Sequence, residues 1–364
     1  MSQQKIRASE LVVSLILFEV GSTTLFLQGG GVKQNAWIAV LGAGAAGALV
    51  LLLHLAIHRR DPRLDLFLLF HRYMGPWVGT VFNLGFIAYF AYEMSRNLRD
   101  MGELTMLTLL PGTRIWITAL ITLLVVANTV RHDWRVSFLT GMALFPIMVA
   151  SYLILILIIF LSGLIHYEFL LPVLENGVNM DMAKEVMKLV SFPFGETVVF
   201  LVFYPLIQQR RSVVRNIMIS YFGIVLFLAF INQLSVMVLG PVLAANTTLP
   251  LLETVQLVQF PGVFERMDAL FTLILFMGLG FKMVYFYSGA VIGLERVTGI
   301  GYRKWIIPLG ALIFWAAFWS PNYTHHIWLG REIVLFTIWP VFQIVLPALL
   351  FTVMLLRRNK IKPH

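Results

Sequence analysis

The chain has 364 residues, 59% of them hydrophobic and only 12% charged, with a mean hydropathy of +0.85. Soluble domains carry about 25% charged residues, so this sequence lacks the polar surface to cover a water-soluble body of its size. Soluble enzymes, nucleic-acid binders and disordered scaffolds are excluded on that ground, and the net charge of +9 reads as membrane orientation rather than as a nucleic-acid footprint. Cysteine is absent, which excludes disulfides, thiolate metal sites and cysteine nucleophiles.

Apolar runs separated by charged or Gly/Pro loops predict ten membrane spans, with cores at about 9–30, 35–57, 76–97, 114–130, 136–163, 186–207, 214–240, 267–294, 303–320 and 331–356. The first follows a short basic start (Lys5, Arg7). It reads as a retained helix, because no small-x-small cleavage site follows and its apolar run is too long for a signal peptide. The segment from Arg59 to Arg72 mixes charge with Leu-Phe pairs and reads as a short interfacial helix. Leu249 to Arg266 is too polar to span and is expected along the opposite surface. The expected architecture is one all-α transmembrane domain over residues 1–364, in two five-helix halves of about 9–163 and 186–356. No residue-level repeat relates the halves.

With both termini on one side, that side collects 18 of the 27 Lys and Arg residues, among them Arg59, Arg60, Arg210, Arg211, Arg303, Arg358, Lys360 and Lys362. The other side holds Lys33, Arg96, Arg99, Arg114, Lys184, Lys188, Arg266 and Arg331, and Lys282 falls inside a span. This bias predicts cytoplasmic termini and an even number of spans.

Two spans are predicted to be interrupted. The first carries Gly21-Ser22-Thr23-Thr24 and the sixth Ser191-Phe192-Pro193-Phe194-Gly195-Glu196. Proline removes an amide donor and clashes with the preceding turn, and glycine tolerates the dihedrals that follow. Backbone broken at membrane depth must be buried in protein or line a cavity. Taken singly, Gly21 fits close helix packing and Pro193 a kink just as well. Spans one and six are corresponding members of the two halves, however, and interruptions at matching positions point to a transporter-type binding site.

Ionisable residues inside spans are costly and usually face a cavity or a partner. Four stand out: Glu19, Glu93, Glu196 and Lys282. They are either internal ion pairs holding helices together or a set in which one carboxylate takes a cation or ammonium and Lys282 neutralises another. The sequence leaves open which Glu pairs with Lys282. Tyr89, Glu93 and Asn97 recur every four residues and form one polar stripe on the third span, fit for packing or ligand contact; Lys282 and Tyr285 share a face of the eighth.

Other features are weaker. Gly29-Gly30-Gly31 lacks the Lys-Ser/Thr of a phosphate loop and reads as a turn, and Gly42 to Gly47 makes a small-residue face for close packing. His325-His326 has no evident third ligand, so no metal is expected. The six Asp residues (Asp61, Asp65, Asp100, Asp133, Asp181, Asp268) read as lying in loops or at helix ends, and HExxH, G-x-S-x-G and P-loop motifs are absent, so catalysis is not expected.

The chain resembles the B subunit of nutrient germinant receptors of endospore-forming bacteria, in the amino acid–polyamine–organocation superfamily. The similarity runs nearly end to end. Its markers are Ile6-Arg7-Ala8-Ser9-Glu10-Leu11 leading to Gly21-Ser22, Phe192-Pro193-Phe194-Gly195-Glu196, Leu110-Pro111-Gly112-Thr113, Arg266-Met267-Asp268-Ala269-Leu270-Phe271 and Phe281-Lys282. Arg114 departs from the family pattern at a loop entry. The resemblance implies the leucine-transporter fold and a subunit of the spore inner membrane that senses a small nutrient, often an amino acid. It also implies partners: a membrane-embedded A subunit and a lipoprotein C subunit. Binding is thought to open a path for ions. On this reading the ligand site comprises Gly21, Ser22, Thr23, Thr24, Tyr89, Glu93, Asn97, Phe192, Pro193, Phe194, Gly195, Glu196 and Tyr285, with Glu19 and Lys282 in charge pairing and no cofactor. An autonomous proton- or sodium-coupled amino-acid permease on the same fold is the alternative.

Overall fold

The computed structural model describes residues 5–132, 134–175, 177–208, 213–258 and 267–357, with only the backbone described at Met267 and Asp268. Arg210, Arg211, Arg266, Arg358, Lys360 and Lys362, used in the orientation count, and Asp133 lie outside the described residues. In chain order the helices are α1 (Ala8–Gly21), α2 (Ala36–Arg60), α3 (Leu66–Met74), α4 (Pro76–Thr108), α5 (Ile115–Arg131), α6 (Trp134–Leu161), α7 (Met180–Ser191), α8 (Val213–Leu239), α9 (Pro241–Asn246), α10 (Pro250–Leu257), α11 (Met267–Thr298), α12 (Ile306–Ala317), α13 (Tyr323–Trp328), α14 (Leu335–Thr337) and α15 (Leu346–Leu356). No strand occurs among the described residues; a single parallel bridge joins Ile6 to Ile207.

The chain is a multi-pass membrane protein. Among the described residues, six segments are long and apolar enough to cross a bilayer: Ala8–Leu25, Gly30–Arg60, Trp134–Leu161, Val213–Leu239, Ala269–Thr298 and Tyr323–Leu356. The other expected spans differ for visible reasons. The helices α5 and α12 are apolar but short, at 17 and 12 residues. The expected third span is far longer than its core of 76–97, because α4 runs for 33 residues. Leu98, Met101 and Leu104 keep one face apolar while Arg99 and Glu103 pair at 2.8 Å one turn apart. Arg96, Arg99 and Asp100, expected in a loop or at a helix end, therefore lie inside a helix, and Asp100 is buried. The segment after Leu249 forms α10, which packs on α8 and α11 with five of its residues buried; residues 259–266 of that expected surface segment lie outside the described residues.

The sixth expected span is not one helix. The amphipathic α7 starts at an Asn179 cap that accepts from Met182 N (3.0 Å) and stops at Ser191. Phe192 is extended (φ −130, ψ 115), as a residue before proline prefers, and a tight 3₁₀ helix then runs Phe194–Val202. The first span is interrupted likewise: α1 ends at Gly21 and a 3₁₀ turn covers Thr23–Leu25. Ile6, two residues before α1, is tied to the far end of the other interruption, its N donating to Leu206 O and its carbonyl accepting from Gln208 N, both at 2.8 Å.

Close packing rests on glycines at two faces. A Cβ at Gly47 would meet Phe194 Cβ at 2.6 Å, bringing α2 against the 3₁₀ segment, and one at Gly293 would meet Ile87 and Phe67 at 2.6 Å, where α11 touches α4 and α3. The small-residue face at 42–47 thus serves helix approach. Gly293→Val is expected to cost about 1–3 kcal/mol by overpacking, measured as a lower melting temperature in detergent. Gly280→Ala, with nothing within 4 Å of an added Cβ, is the neutral control.

Candidate functional site

The two interruptions meet at a buried charge. Lys282 of α11 is fully buried; its Nζ donates to Ser22 Oγ (3.0 Å) at the first break and to Glu196 Oε2 at the second. The ammonium also lies 4.6 Å from the Phe192 ring centroid and 5.3 Å from that of Phe18. An ammonium out of water needs this many partners. Glu93, one turn along α4 from Tyr89, brings its carboxyl against that of Glu196. Glu19 lies on the last turn of α1, fully buried, with neither carboxyl oxygen hydrogen-bonded among the described residues.

Above this cluster opens a cavity of about 70 Å³. Its inner end is formed by Ser22, Glu93, Asn97, Phe192 and Glu196, its walls by Phe26, Leu189, Leu335 and Trp339, and its outer end by Arg96, Asp100, Glu185, Lys188 and Arg331. The outer end is laced shut by polar links. Lys188 reaches Glu185 (3.2 Å) on its own helix and Glu332 (3.6 Å) on the last span, and Arg96 Nη1 donates to His326 O (3.0 Å). The Arg96 guanidinium lies against Gly330, where a Cβ would meet its Nη1 at 2.8 Å.

Five of the sequence-predicted site residues thus line the cavity: Ser22, Glu93, Asn97, Phe192 and Glu196. The others sit around it. Thr23 donates to the Glu19 carbonyl, and Thr24 Oγ1 lies 2.8 Å from Tyr152 OH, so both hydroxyls are engaged away from the cavity. Gln28 closes the freed backbone further: its Nε2 donates to Thr23 O (2.9 Å), and its own carbonyl accepts from Asn232 Nδ2 (2.8 Å). Phe194 packs on Tyr221, and Pro193 and Gly195 form the turn behind Phe192. Tyr285 belongs to an aromatic cluster with Phe18, Phe138, Phe200 and Phe203 and does not reach the cavity.

Tyr89 is held from the other side. Its ring stacks on Phe342 (5.2 Å, 3°), and its hydroxyl accepts from Gln343 Nε2 (2.8 Å). Gln343 sits in a π-helical turn, Val341–Val345, and its carbonyl accepts from His54 Nε2 (2.9 Å), while His54 Nδ1 lies 3.3 Å from Thr197 Oγ1. Sequence reasoning missed this support and the outer charges. Asp100 and Arg96 were within reach of it, being the i+3 continuations of the Asn97 and Glu93 stripe; for His54 and Gln343 the available signal was a polar side chain inside the expected spans 35–57 and 331–356.

A sequence model described as "Spore germination protein" matches residues 5–325. The chain belongs to this family. Spore germination protein KB of Bacillus subtilis (strain 168) is 29% identical over 99% of the chain and 97% of its own length. The spore germination proteins YndE and B2 of the same organism are 22% and 23% identical, covering 80% and 81% of this chain and 81% and 80% of their own lengths.

Gly195 carries a specific steric consequence: an added Cβ would collide with Gln343 Oε1 and sit 3.0 Å from Val190 O. Gly195→Ala is expected to destabilise, and Gln343→Ala to relieve it. The double variant should melt higher than additivity predicts, with a coupling of about 1 kcal/mol in a double-mutant cycle.

Proposed function

We propose that this chain is the nutrient-sensing membrane subunit of a spore germination receptor, and that it binds a small zwitterion, an amino acid, between the interruptions of its first and sixth spans. The observation that carries the reading is Lys282, whose ammonium ties Ser22 at one break to Glu196 at the other beneath a cavity with charges of both signs. The ligand's ammonium goes to Glu93 and Glu196, and its carboxylate to the break backbone at Ser22. Phe192 with Tyr89 behind it shapes the side-chain end, and the volume suits a small side chain. A ligand shifts a conformational balance only by its difference in affinity between states; closure of the two breaks on the ligand supplies that difference, and ion release follows through the receptor.

The wider reading rests on the same elements. Ten spans in two five-helix halves, about 9–163 and 186–356, on a leucine-transporter-like plan account for interruptions at corresponding positions. The Lys/Arg bias supports cytoplasmic termini. The family supports residence in the spore inner membrane beside A and C subunits.

Purified protein in detergent, screened by thermal shift against the twenty amino acids, tests the site. A ligand that raises the melting temperature should lose at least about tenfold in affinity in Glu93→Gln, the scale of one charged hydrogen bond. Spores carrying Gly195→Leu should accumulate the protein and fail to respond; a normal response there would overturn the assignment. Liposomes holding this chain alone separate sensing from autonomous transport, because only a permease accumulates labelled amino acid without partners.

A further inference from the structure

The resting cluster holds three buried carboxyls and one ammonium, and its bonding is lopsided. Glu196 takes Lys282 while Glu19, with both oxygens unpartnered, takes nothing. A buried carboxylate without a partner is costly, and such a group stays protonated until a counter-charge arrives.

Glu19 is placed for one. At the end of α1 the backbone touches α11 directly: a Cβ on Gly21 would meet Gly278 O at 2.7 Å. Lys282 is one helical turn on from Gly278, so this contact sets its side chain against the last turn of α1. There its ammonium already engages the residues on both sides of Glu19, lying over the Phe18 ring and bonding Ser22 Oγ, which is three residues on and on the same helix face as Glu19. The charges that act on Glu19 are Lys282 and Glu196. The four-carbon stem of Lys282 has the rotatable bonds that such a change of partner needs.

We propose that Glu19 is the reserve acceptor of Lys282, and that the ammonium passes from Glu196 to Glu19 when a cationic group of a ligand takes its place on Glu196. The charges balance when the Glu19 proton is counted. Before the exchange, Lys282 neutralises Glu196 while Glu19, buried without a partner, holds its proton; after it, the ligand's ammonium neutralises Glu196, Lys282 neutralises the Glu19 carboxylate, and the Glu19 proton leaves to solvent. The exchange also removes the Lys282 bridge between the two breaks, which lets the α1 end and the Phe194–Val202 segment move relative to each other. This consequence rests on the ligand site proposed above, but the test needs no ligand, so failure of the exchange and failure of the site are read separately.

The test compares melting temperatures of full-length purified variants in detergent. Glu196→Gln alone should lose little, because Lys282 turns to Glu19, and Glu19→Gln alone should lose little, because the resting pair is untouched. Glu19→Gln/Glu196→Gln should fall by at least about 5 °C more than the sum of the singles, as expected for a buried ammonium with its partners removed. Adding Lys282→Met to that double should restore most of the loss, whether the double is read as a low melting temperature or as failure to accumulate. Additive losses would overturn the proposal, as would a Glu196→Gln variant as damaged as the double, or no rescue by Lys282→Met. An excess loss in Glu93→Gln/Glu196→Gln in place of the Glu19 double would overturn it too, by assigning the reserve role to Glu93.

Discussion

An ammonium buried at membrane depth is the constraint around which this molecule is organised. Lys282 has no exposure, and its cost is met by a carboxylate from one interrupted span, a hydroxyl from the other and two aromatic faces. These partners form two pairs four residues apart, Phe18 with Ser22 and Phe192 with Glu196, from distant parts of the chain, so forming the ion pair requires α1, α11 and the segment around Pro193 to be in place together. Leaving the ammonium with no carboxyl acceptor at all is far more damaging than never having had the ammonium, because it is then charged in a medium that cannot solvate it.

The interruptions that bring those partners together create a second debt, of backbone hydrogen bonds, which the rest of the bundle settles. Lipid satisfies no amide or carbonyl. At the first break the side chains of Thr23, Gln28 and Asn232 supply the missing partners. At the second the chain tightens into a 3₁₀ helix, with Glu196 N donating to Pro193 O (3.0 Å) and Thr197 Oγ1 to Phe194 O (3.1 Å). A π turn in the last span then presses Gln343 onto Gly195. Departures from the α-helix in three elements thus face one another, and each is tolerated because the others fill the space and the bonding it leaves.

The outer end of the cavity is built on a different principle. Lys188, Glu332, Arg96 and the His326 carbonyl link α7, α4 and the last span through groups that retain some exposure, so each link is weak by itself and easily exchanged. Rigid, fully desolvated pairing at the inner end and loose, partly wet pairing at the mouth suit a chamber that opens on one side while keeping its floor.

Composition alone decided that this chain lives in a bilayer, because 12% charged residues leave too little polar surface for any other solvent. The positions of the apolar runs, the two interruptions and the four intramembrane charges were likewise legible, since proline, glycine and a charge in an apolar run act locally and carry their physical meaning with them. The polar stripe of α4 was legible as far as Asn97 and broke off there, because Arg96, Arg99 and Asp100 read as loop residues until Leu98, Met101 and Leu104 are seen to bury the same helix. Which carboxylate holds Lys282, that Tyr285 turns to an aromatic cluster away from the cavity, and that Gln343 and His54 brace the second break were decided only by the tertiary structure. Those facts depend on the approach of helices far apart in the chain, set by such contacts as Gly21 on Gly278, and a helix tilt or rotation is a sum over many packing contacts that no local run of residues encodes.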